Sequence, residues 1–224
     1  MTIGIAIIGL GGIGLGYDIQ SNKKSPKSAD SHSFAVLQNP DCRLVVGIDP
    51  DPFKRANFEN ATKAMSISSL ADLNKYLLDQ IDALIIATPT SEHIKILQEI
   101  SLLNKSFWIM CEKPFCSNLR EVNSITSLVD SSRIIINYSR RFSSDIDSCQ
   151  MLFTNFIEKL PYPSITVKFF GGVLRTGSHF IDLANHWFWE EDFLELPEMV
   201  LETGEGYAVR YPKVTIEFLS LYPN

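Results

Sequence analysis

A glycine-rich loop directly after the opening apolar run constrains this chain more than any other feature. The run is Ile3–Ile8, and residues 9–14 that follow it match the pattern G-x-G-x-x-G. In such a loop the first glycine permits a tight turn, the second lets the backbone approach a pyrophosphate, and the third allows close helix–sheet packing. A helix that starts there offers free N–H groups and a partial positive charge to phosphates. The pattern therefore predicts a dinucleotide-binding loop with cofactor contacts at Gly9, Gly11, Gly12, Ile13 and Gly14.

An acidic residue ends the second apolar run, as the dinucleotide-binding pattern requires. Asp49 follows residues 44–48 and lies further from the glycine loop than the roughly 20 residues that are usual. The polar segment 18–33 accounts for the excess, and we interpret it as an inserted surface loop, with a lid near the cofactor as the alternative. The Asp49 carboxylate would accept hydrogen bonds from the ribose hydroxyls and repel a 2′-phosphate. This favours NAD over NADP, although Lys54 and Arg55 nearby leave NADP open.

Short apolar runs alternate with helical patterns over the first 137 residues. The runs are continuous rather than alternating, as expected for parallel strands covered on both faces. The candidate strands are Ile3–Ile8, 43–48, 83–87, 107–110 and 133–137. Helical patterns cover residues 73–78, after a capping box at Ser69 and Asp72, then 91–103, and a stretch from Asn118 to about residue 129. Repeated strand–helix–strand units predict a parallel sheet with right-handed crossovers.

The pattern changes after residue 138. A helical stretch at 144–159 is followed by a strand at 165–170, a glycine pair, a helix at about 178–189 and strand-like runs at 199–201 and 214–219. Strands collected after a Rossmann unit indicate a separate domain. The sequence predicts an α/β protein with an N-terminal Rossmann domain, a doubly wound parallel sheet, over residues 1–138. A smaller α+β domain with a mostly antiparallel open sheet would cover residues 139–224.

Composition excludes several function classes. The net charge of −6 and the pI of about 5.2 argue against bulk nucleic-acid binding, which needs a basic face. No stretch approaches the roughly 20 apolar residues that cross a bilayer, and the opening run carries no basic leader or cleavage site of a signal peptide. Four cysteines without a C-x-x-C pair indicate free thiols in a reducing compartment. We therefore expect a cytoplasmic protein that binds neither membrane nor nucleic acid.

Four further motifs stand at compatible intervals along the chain. They are Ala-Thr-Pro-Thr at 87–90 with His93, Cys-Glu-Lys-Pro at 111–114, Asn-Tyr-Ser-Arg-Arg-Phe at 137–142, and a segment at 171–182 that ends in Gly-Ser-His-Phe-Ile-Asp. Together with the glycine loop, they resemble the Gfo/Idh/MocA family of NAD(P)-dependent oxidoreductases, which includes glucose–fructose oxidoreductase and inositol dehydrogenase. The resemblance covers roughly residues 3–190.

The resemblance implies an oxidoreductase that moves a hydride between a nicotinamide cofactor and a hydroxyl or carbonyl carbon of a sugar or nucleotide sugar. It implies that Lys113 hydrogen-bonds the reacting hydroxyl and stabilises alkoxide character, with Pro114 a candidate for a cis peptide bond that aims the lysine. It implies that His179 is the acid–base group, because its ordinary pKa near 6.5 suits proton transfer at neutral pH.

The resemblance also implies binding residues. Thr88, Pro89 and His93 would border the cofactor, and Glu112 would lie on its nicotinamide side, although a local role at the start of a helix is the alternative for His93. Tyr138 and Arg140 would face the substrate, with Arg175 and Asp182 as further candidates on that side.

Two departures from the family pattern bear on activity. Many members carry an aspartate where this chain has Arg175, four residues before the histidine. Arg175 either binds an anionic group of the substrate, or marks a catalytically impaired NAD(P)-binding regulator. The region after residue 138 is also shorter than the usual substrate domain. Its exposed apolar sheet would need a partner, which favours a homo-oligomer through the C-terminal sheet.

A metal site is not predicted. His179, Asp182 and His186 share one face of a helix, but the two histidines are separated by about 10.5 Å of helical rise. One ion cannot bind both at bond lengths near 2.1 Å.

Overall fold

The chain forms two compact units, and each is described by itself. The computed structural model describes residues 2–20, 29–157, 159–160, 163–188, 198–203, 206–211 and 214–221. The units are Met1–Asn137 and Tyr138–Asn224. The boundary expected from the sequence lies one residue later along the chain.

A six-stranded parallel sheet forms the centre of the first unit. The strands are β1 (Ile3–Ile8), β2 (Cys42–Ile48), β3 (Met65–Ile67), β4 (Ala83–Ile86), β5 (Trp108–Cys111) and β6 (Ile134–Ile136), in the order β3-β2-β1-β4-β5-β6. This confirms the predicted doubly wound Rossmann sheet. The strand order reverses between β1 and β4, and ligands of such sheets bind outside the carboxyl ends of the strands at this point. The three-residue edge strand β3 was not predicted, because so short a run shows no periodicity.

Between these strands, the residues that the structure describes form six α-helices. They are α1 (Tyr17–Gln20), α2 (His32–Gln38), α3 (Pro52–Thr62), α4 (Lys75–Gln80), α5 (Thr90–Ser101) and α6 (Leu119–Leu128). The predicted capping box at Ser69 is present, but it opens only a 3₁₀ turn. The helix itself starts after Asn74, whose side chain accepts the backbone N–H of Leu77 at 3.0 Å. A second cap therefore moves the start of α4 two residues past the predicted position.

Two hydrophobic clusters cover the opposite faces of this sheet. Ile5 and Ile7 of β1 belong to one cluster, with Phe58 of α3, whereas the alternate residues Ala6 and Ile8 belong to the other, with Leu97 of α5. Successive side chains of a strand point to opposite faces, so a strand buried on both faces must be apolar throughout. This explains the continuous apolar runs in the sequence.

In the second unit, the described residues form two α-helices and a four-stranded sheet. Its elements are α7 (Ser144–Ile157), β7 (Ser164–Phe169), α8 (Ser178–Phe188), β8 (Glu198–Thr203), β9 (Gly206–Arg210) and β10 (Thr215–Ser220). The sheet order is β7-β10-β9-β8, with one parallel pair, β7 with β10, and two antiparallel pairs. This confirms the mostly antiparallel sheet, while β9 was not predicted. The predicted end of α8 at residue 189 lies outside the described residues.

Polar side chains lie on the outward side of two strands of this sheet. The outward side of β7 carries Thr166 and Lys168, and Thr166 donates to Glu217 of β10 at 3.0 Å. Exposed Phe170 directly follows β7, so the expected exposed apolar sheet stays a prediction. Large exposed apolar side chains lie on α7, at Met151, Leu152 and Phe156. A homo-oligomer stays a prediction.

The predicted insertion at 18–33 is described only at its ends, because residues 21–28 lie outside the described part. Asp18 of α1 accepts the backbone N–H of Asp30 at 3.0 Å and the hydroxyl of Ser31 at 2.5 Å. These hydrogen bonds join the two ends of the insertion. The helix that follows the glycine loop is consequently divided into α1 and α2.

The close packing of the glycine loop can be tested with two alanine variants. A Cβ on Gly14 would lie 2.0 Å from the carbonyl oxygen of Gly9. We expect Gly14→Ala to lower the free energy of unfolding by at least about 2 kcal/mol, because both colliding groups belong to backbone. Gly16→Ala is the matched control, because its Cβ would lie 3.5 Å from the Gly11 carbonyl oxygen, an ordinary contact. Urea denaturation measures both variants, and equal stabilities would contradict this packing.

Candidate active site

The three glycines of the G-x-G-x-x-G pattern have three different surroundings. Gly9 has a φ of 93°, and a Cβ there would lie 2.8 Å from both the Ala87 carbonyl oxygen and a Thr88 methyl. Gly14 packs on Gly9, as described above. A Cβ on Gly11 would meet nothing within 4 Å. The first and third glycines are therefore required by the fold, whereas Gly11 leaves room beside the backbone.

The second half of the glycine loop belongs to a wide turn that precedes α1. Residues Gly12–Gly16 form a π-helical turn, in which the N–H groups of Leu15 and Gly16 both donate to the Gly11 carbonyl oxygen at 2.9 Å. The sequence predicted a regular helix start here. The observed turn still directs the first N–H groups of the segment towards the carboxyl edge of the sheet.

Asp49 closes the glycine loop from the neighbouring strand. The residue is 4% exposed, and its carboxylate accepts the backbone N–H groups of Leu10 at 2.8 Å and of Asp51 at 2.9 Å. The ammonium of Lys54 lies 3.7 Å from the same carboxylate. Asp49 thus has a structural task that the sequence did not reveal, and contact with a ribose stays a prediction.

A cavity of about 610 Å³ opens at the carboxyl ends of β1, β2 and β4. This volume is typical of small-molecule sites. The predicted cofactor residues that line it are Gly9, Gly11, Gly12, Ile13, Asp49, Thr88 and Pro89. Lining residues that the sequence did not indicate are Tyr17, Ser68, Ser69, Glu92 and Lys95. Ser68 and Ser69 follow β3, so detecting that strand would have indicated them.

The hydroxyl of Thr88 has no partner within the described residues. Its oxygen is buried and makes no hydrogen bond there, although the residue lines the cavity. Buried hydroxyl groups are normally hydrogen-bonded, because an unsatisfied group costs about 1–3 kcal/mol.

His93 is fully buried and is not among the residues that line the cavity, so its contact with a cofactor stays a prediction. Its Nε2 lies 3.0 Å from the Thr88 carbonyl oxygen, and its Nδ1 lies 3.0 Å from the Phe115 carbonyl oxygen and 3.4 Å from Cys111 Sγ. The imidazole thereby lies between the loop after β4 and the segment after β5. This is a local role of the kind given above as the alternative for His93.

Glu112 directly follows β5 and is held by side chains from two distant segments. Its Oε1 accepts Nε2–H of His32 at 2.8 Å and Nδ2–H of Asn137 at 2.7 Å. Burial is the largest influence and raises the pKa of Glu112, but these hydrogen bonds outweigh it, so that the pKa lies below its ordinary value. Glu112 is therefore a carboxylate at neutral pH. Its contact with a nicotinamide stays a prediction.

Lys113 follows Glu112 and is half-buried. Its peptide bond to Pro114 is cis, as the sequence suggested. Lys113 thus lies beyond the carboxyl end of β5, on the edge of the sheet to which the cavity belongs. The catalytic role of Lys113 stays a prediction.

In the second unit, His179 lies in the first turn of α8. The edge of its ring contacts Tyr138, with ring centroids 5.9 Å apart and an interplanar angle of 83°. Arg175 is exposed on the π-helical turn Val173–Gly177 that precedes the helix. The structure therefore brings three of the predicted residues to one end of α8, namely Tyr138, Arg175 and His179.

Asp182 forms an ion pair with Arg141, and its contact with a substrate stays a prediction. Its side chain is 4% exposed, and both carboxylate oxygens accept hydrogen bonds from the guanidinium of Arg141, one of them at 2.6 Å. This role of Arg141 was not predicted, because nothing in the spacing distinguishes it from Arg140. The neighbouring Arg140 is exposed and lies over the Phe180 ring, 5.1 Å from its centroid. The pair fixes the turn of α8 that carries His179.

Neither a membrane-spanning helix nor a metal cluster occurs in the described part of the chain. No helix there combines the length and apolar character that a bilayer crossing needs. Within the same residues, no cluster of three or more His, Cys, Asp or Glu side chains could hold a metal ion.

The sheet, the glycine loop and the cavity at the strand reversal define a Rossmann protein built for a dinucleotide. The family profile of the Gfo/Idh/MocA oxidoreductases, described as an oxidoreductase family with an NAD-binding Rossmann fold, matches residues 3–138. The chain belongs to this family, which confirms the resemblance and the nicotinamide cofactor. No curated protein matches the chain in sequence.

Solved structures extend the similarity to the fold of both units. A myo-inositol dehydrogenase from Corynebacterium glutamicum is 18% identical with a TM-score of 0.69, over 98% of this chain and 68% of that one. The WlbA dehydrogenase from Bordetella pertussis, in complex with NADH and UDP-GlcNAcA, is 19% identical with a TM-score of 0.67, over 100% and 68%. The 3-ketoreductase KijD10 from Actinomadura kijaniata, in complex with TDP-benzene and NADP, is 14% identical with a TM-score of 0.71, over 100% and 70%. This chain thus spans about two thirds of their length.

The ion pair on α8 can be tested against its neighbour. We expect Arg141→Leu to lower the free energy of unfolding by roughly 3 kcal/mol, because it leaves the buried Asp182 carboxylate without a counter-charge. This is the low end of the usual range, since Arg141 is 38% exposed. Arg140→Leu is the matched control and should cost less than about 1 kcal/mol, the worth of an exposed cation–π contact. Thermal or chemical denaturation measures both, and an Arg141→Leu protein as stable as the control would rule out this role.

Proposed function

We propose that this chain is an NAD-dependent oxidoreductase that transfers a hydride between the nicotinamide and a hydroxyl or carbonyl carbon of a sugar or nucleotide sugar. One observation carries the proposal. The cavity at the strand reversal combines an open space beside Gly11 with the unsatisfied hydroxyl of Thr88. The open space at Gly11 would let a pyrophosphate approach the backbone closely, and Thr88 is a polar residue of the same cavity wall.

The residues of the cavity fit the cofactor. The backbone of Gly11, Gly12 and Ile13 would hold the pyrophosphate, and Thr88 and Pro89 would border the dinucleotide. Asp49 keeps a negative charge on the ribose side, which favours NAD, while Lys54 beside it leaves NADP open as the alternative. When bound, the nicotinamide supplies or accepts the hydride.

The chemistry on the substrate would fall to two residues. We propose that the Lys113 ammonium binds the reacting oxygen and stabilises its developing negative charge. We propose that His179 takes up and returns the hydroxyl proton. The proposal requires both residues to serve the same bound substrate. Tyr138 and Arg140 would contact that substrate, and Glu112 would lie near the nicotinamide.

The class of substrate is inferred from the similar proteins and from the positive charge of Arg175. The similar structures include a myo-inositol dehydrogenase and proteins complexed with UDP-GlcNAcA or TDP-benzene. Arg175 is exposed at the end of α8 that carries His179. A guanidinium there suits a phosphate or carboxylate of the substrate.

All four cysteines are free, which fits the cytoplasm as the location we propose.

Arg175 also supports a second candidate. It replaces an aspartate that many family members carry, so the chain could bind the cofactor without turnover, as a regulator. Absorbance at 340 nm with a panel of sugars separates the two functions. Tight NADH binding without turnover on any sugar would favour the regulator.

Cofactor binding and catalysis can be tested with separate variants. We expect Gly11→Ala to fold normally but to weaken NADH binding at least tenfold, because its Cβ would fill the space beside the backbone. Gly16→Ala is the control and should bind like the wild type. An NADH affinity unaffected by Gly11→Ala would exclude this cavity as the cofactor site.

The role of Lys113 in catalysis is tested by a separate variant. Lys113→Met should keep NADH binding and lose at least about 100-fold in turnover, since one electrostatic donor contributes roughly that much.

The anionic substrate can be tested at Arg175. We expect Arg175→Ala to raise KM for nucleotide sugars at least about tenfold, the worth of a lost charge-assisted hydrogen bond, and to leave KM for neutral sugars unchanged. Lys168→Ala, an exposed cation of β7, is the control for a general loss of positive charge. An unchanged KM for every nucleotide sugar would remove the anion-binding role.

A further inference from the structure

His32 is a buried titratable residue that the proposed mechanism does not use. It is the first residue of α2, and its Nε2 lies 2.8 Å from Oε1 of Glu112, a residue 80 positions away. The two side chains are 10% and 13% exposed. A carboxylate has only acceptors, so the imidazole must donate from Nε2 in this pair. The contact therefore defines which ring nitrogen carries the proton.

The same carboxylate holds the backbone of the next residue. Besides His32 and Asn137, which bond to its Oε1, the backbone N–H of Lys113 also contributes to lowering the pKa of this carboxyl group, and Lys113 is the next residue of the chain. Hydrogen bonds to an ionised group are stronger than neutral ones and depend on where that group is held. The position of the Lys113 backbone is therefore linked, through one carboxylate, to the donor on α2.

The start of α2 is also joined to the glycine loop. Ser33, next to His32 and fully buried, donates its hydroxyl to the Gly14 carbonyl oxygen at 2.6 Å. Two successive residues of one helix thus bond to the two segments that carry the proposed chemistry, namely the glycine loop and the Glu112–Lys113 strand end.

We infer that His32 is a positioning residue that orients Lys113 through Glu112, so that the lysine is preset relative to the glycine loop before substrate binds. The catalytic part of this inference rests on the proposed function. His32 itself would touch neither substrate nor cofactor. Its loss should therefore lower kcat more than it raises KM, because an interaction that aligns a reacting group acts mainly in the transition state.

Two amide variants that differ by one methylene group provide the test. In His32→Gln the side-chain nitrogen reaches about as far as Nε2 of histidine and can donate to Glu112. In His32→Asn the nitrogen reaches only as far as Nδ1 and cannot. We expect His32→Asn to lower kcat at least about tenfold with less than a threefold change in KM and in the Kd of NADH. His32→Gln should recover most of the loss, and His186→Asn, at an exposed histidine of α8, should have no effect.

Amide hydrogen exchange of the cofactor-free protein tests the same inference without turnover. The Lys113 amide should exchange at least about tenfold faster in His32→Asn than in the wild type and in His32→Gln. The Leu84 and Ile86 amides of β4 distinguish this local effect from a general loss of stability, because they should keep their protection in both variants. Equal Lys113 exchange in the Gln and Asn variants would overturn the inference. A wild type without turnover but with this exchange pattern would instead contradict only the proposed function.

Discussion

The contact between Gly14 and the carbonyl of Gly9 is the constraint on which the rest of the first unit depends. It leaves no space for a side chain, since a Cβ would lie 2.0 Å from the carbonyl oxygen. The chain can therefore leave β1, turn at Gly9 and return against the strand end. Asp49 then closes the turn by accepting the Leu10 amide from the neighbouring strand. Only with both contacts in place does a cavity remain at the point where the strand order reverses.

Polar side chains join the loops around that cavity. His93 holds the loop after β4 to the segment after β5, and Glu112 joins α2 to the end of β6 through His32 and Asn137. These groups are buried, and a buried polar network is rigid only if each member finds a partner. The Thr88 hydroxyl stands apart, because within the described residues it has none. The loops at the carboxyl edge of the sheet are therefore held together by hydrogen bonds within the protein, and the Thr88 hydroxyl takes no part in them.

Local patterns predicted the fold better than they predicted the site. Continuous apolar runs located five of the strands in the first sheet, because burial on both faces leaves no polar position. The same logic missed β3 and β9. In the site, the glycine loop and Asp49 were recognised from the dinucleotide-binding pattern, and the Cys-Glu-Lys-Pro motif was recognised from the resemblance to the family. His93 and Asp182 were assigned to ligands by resemblance, yet their polar atoms are used by protein partners that no spacing reveals.

The sequence alone determined the Rossmann sheet and the nicotinamide cofactor, because glycine conformations, strand burial and the order of motifs can be recognised along the chain. Only the tertiary structure decided which polar groups meet. It paired His32 with Glu112 across 80 residues and Arg141, rather than Arg140, with Asp182. Such pairs form where the folded backbone brings a buried charge within reach of a donor. That distance is a property of the packed chain and leaves no trace in the spacing of its residues.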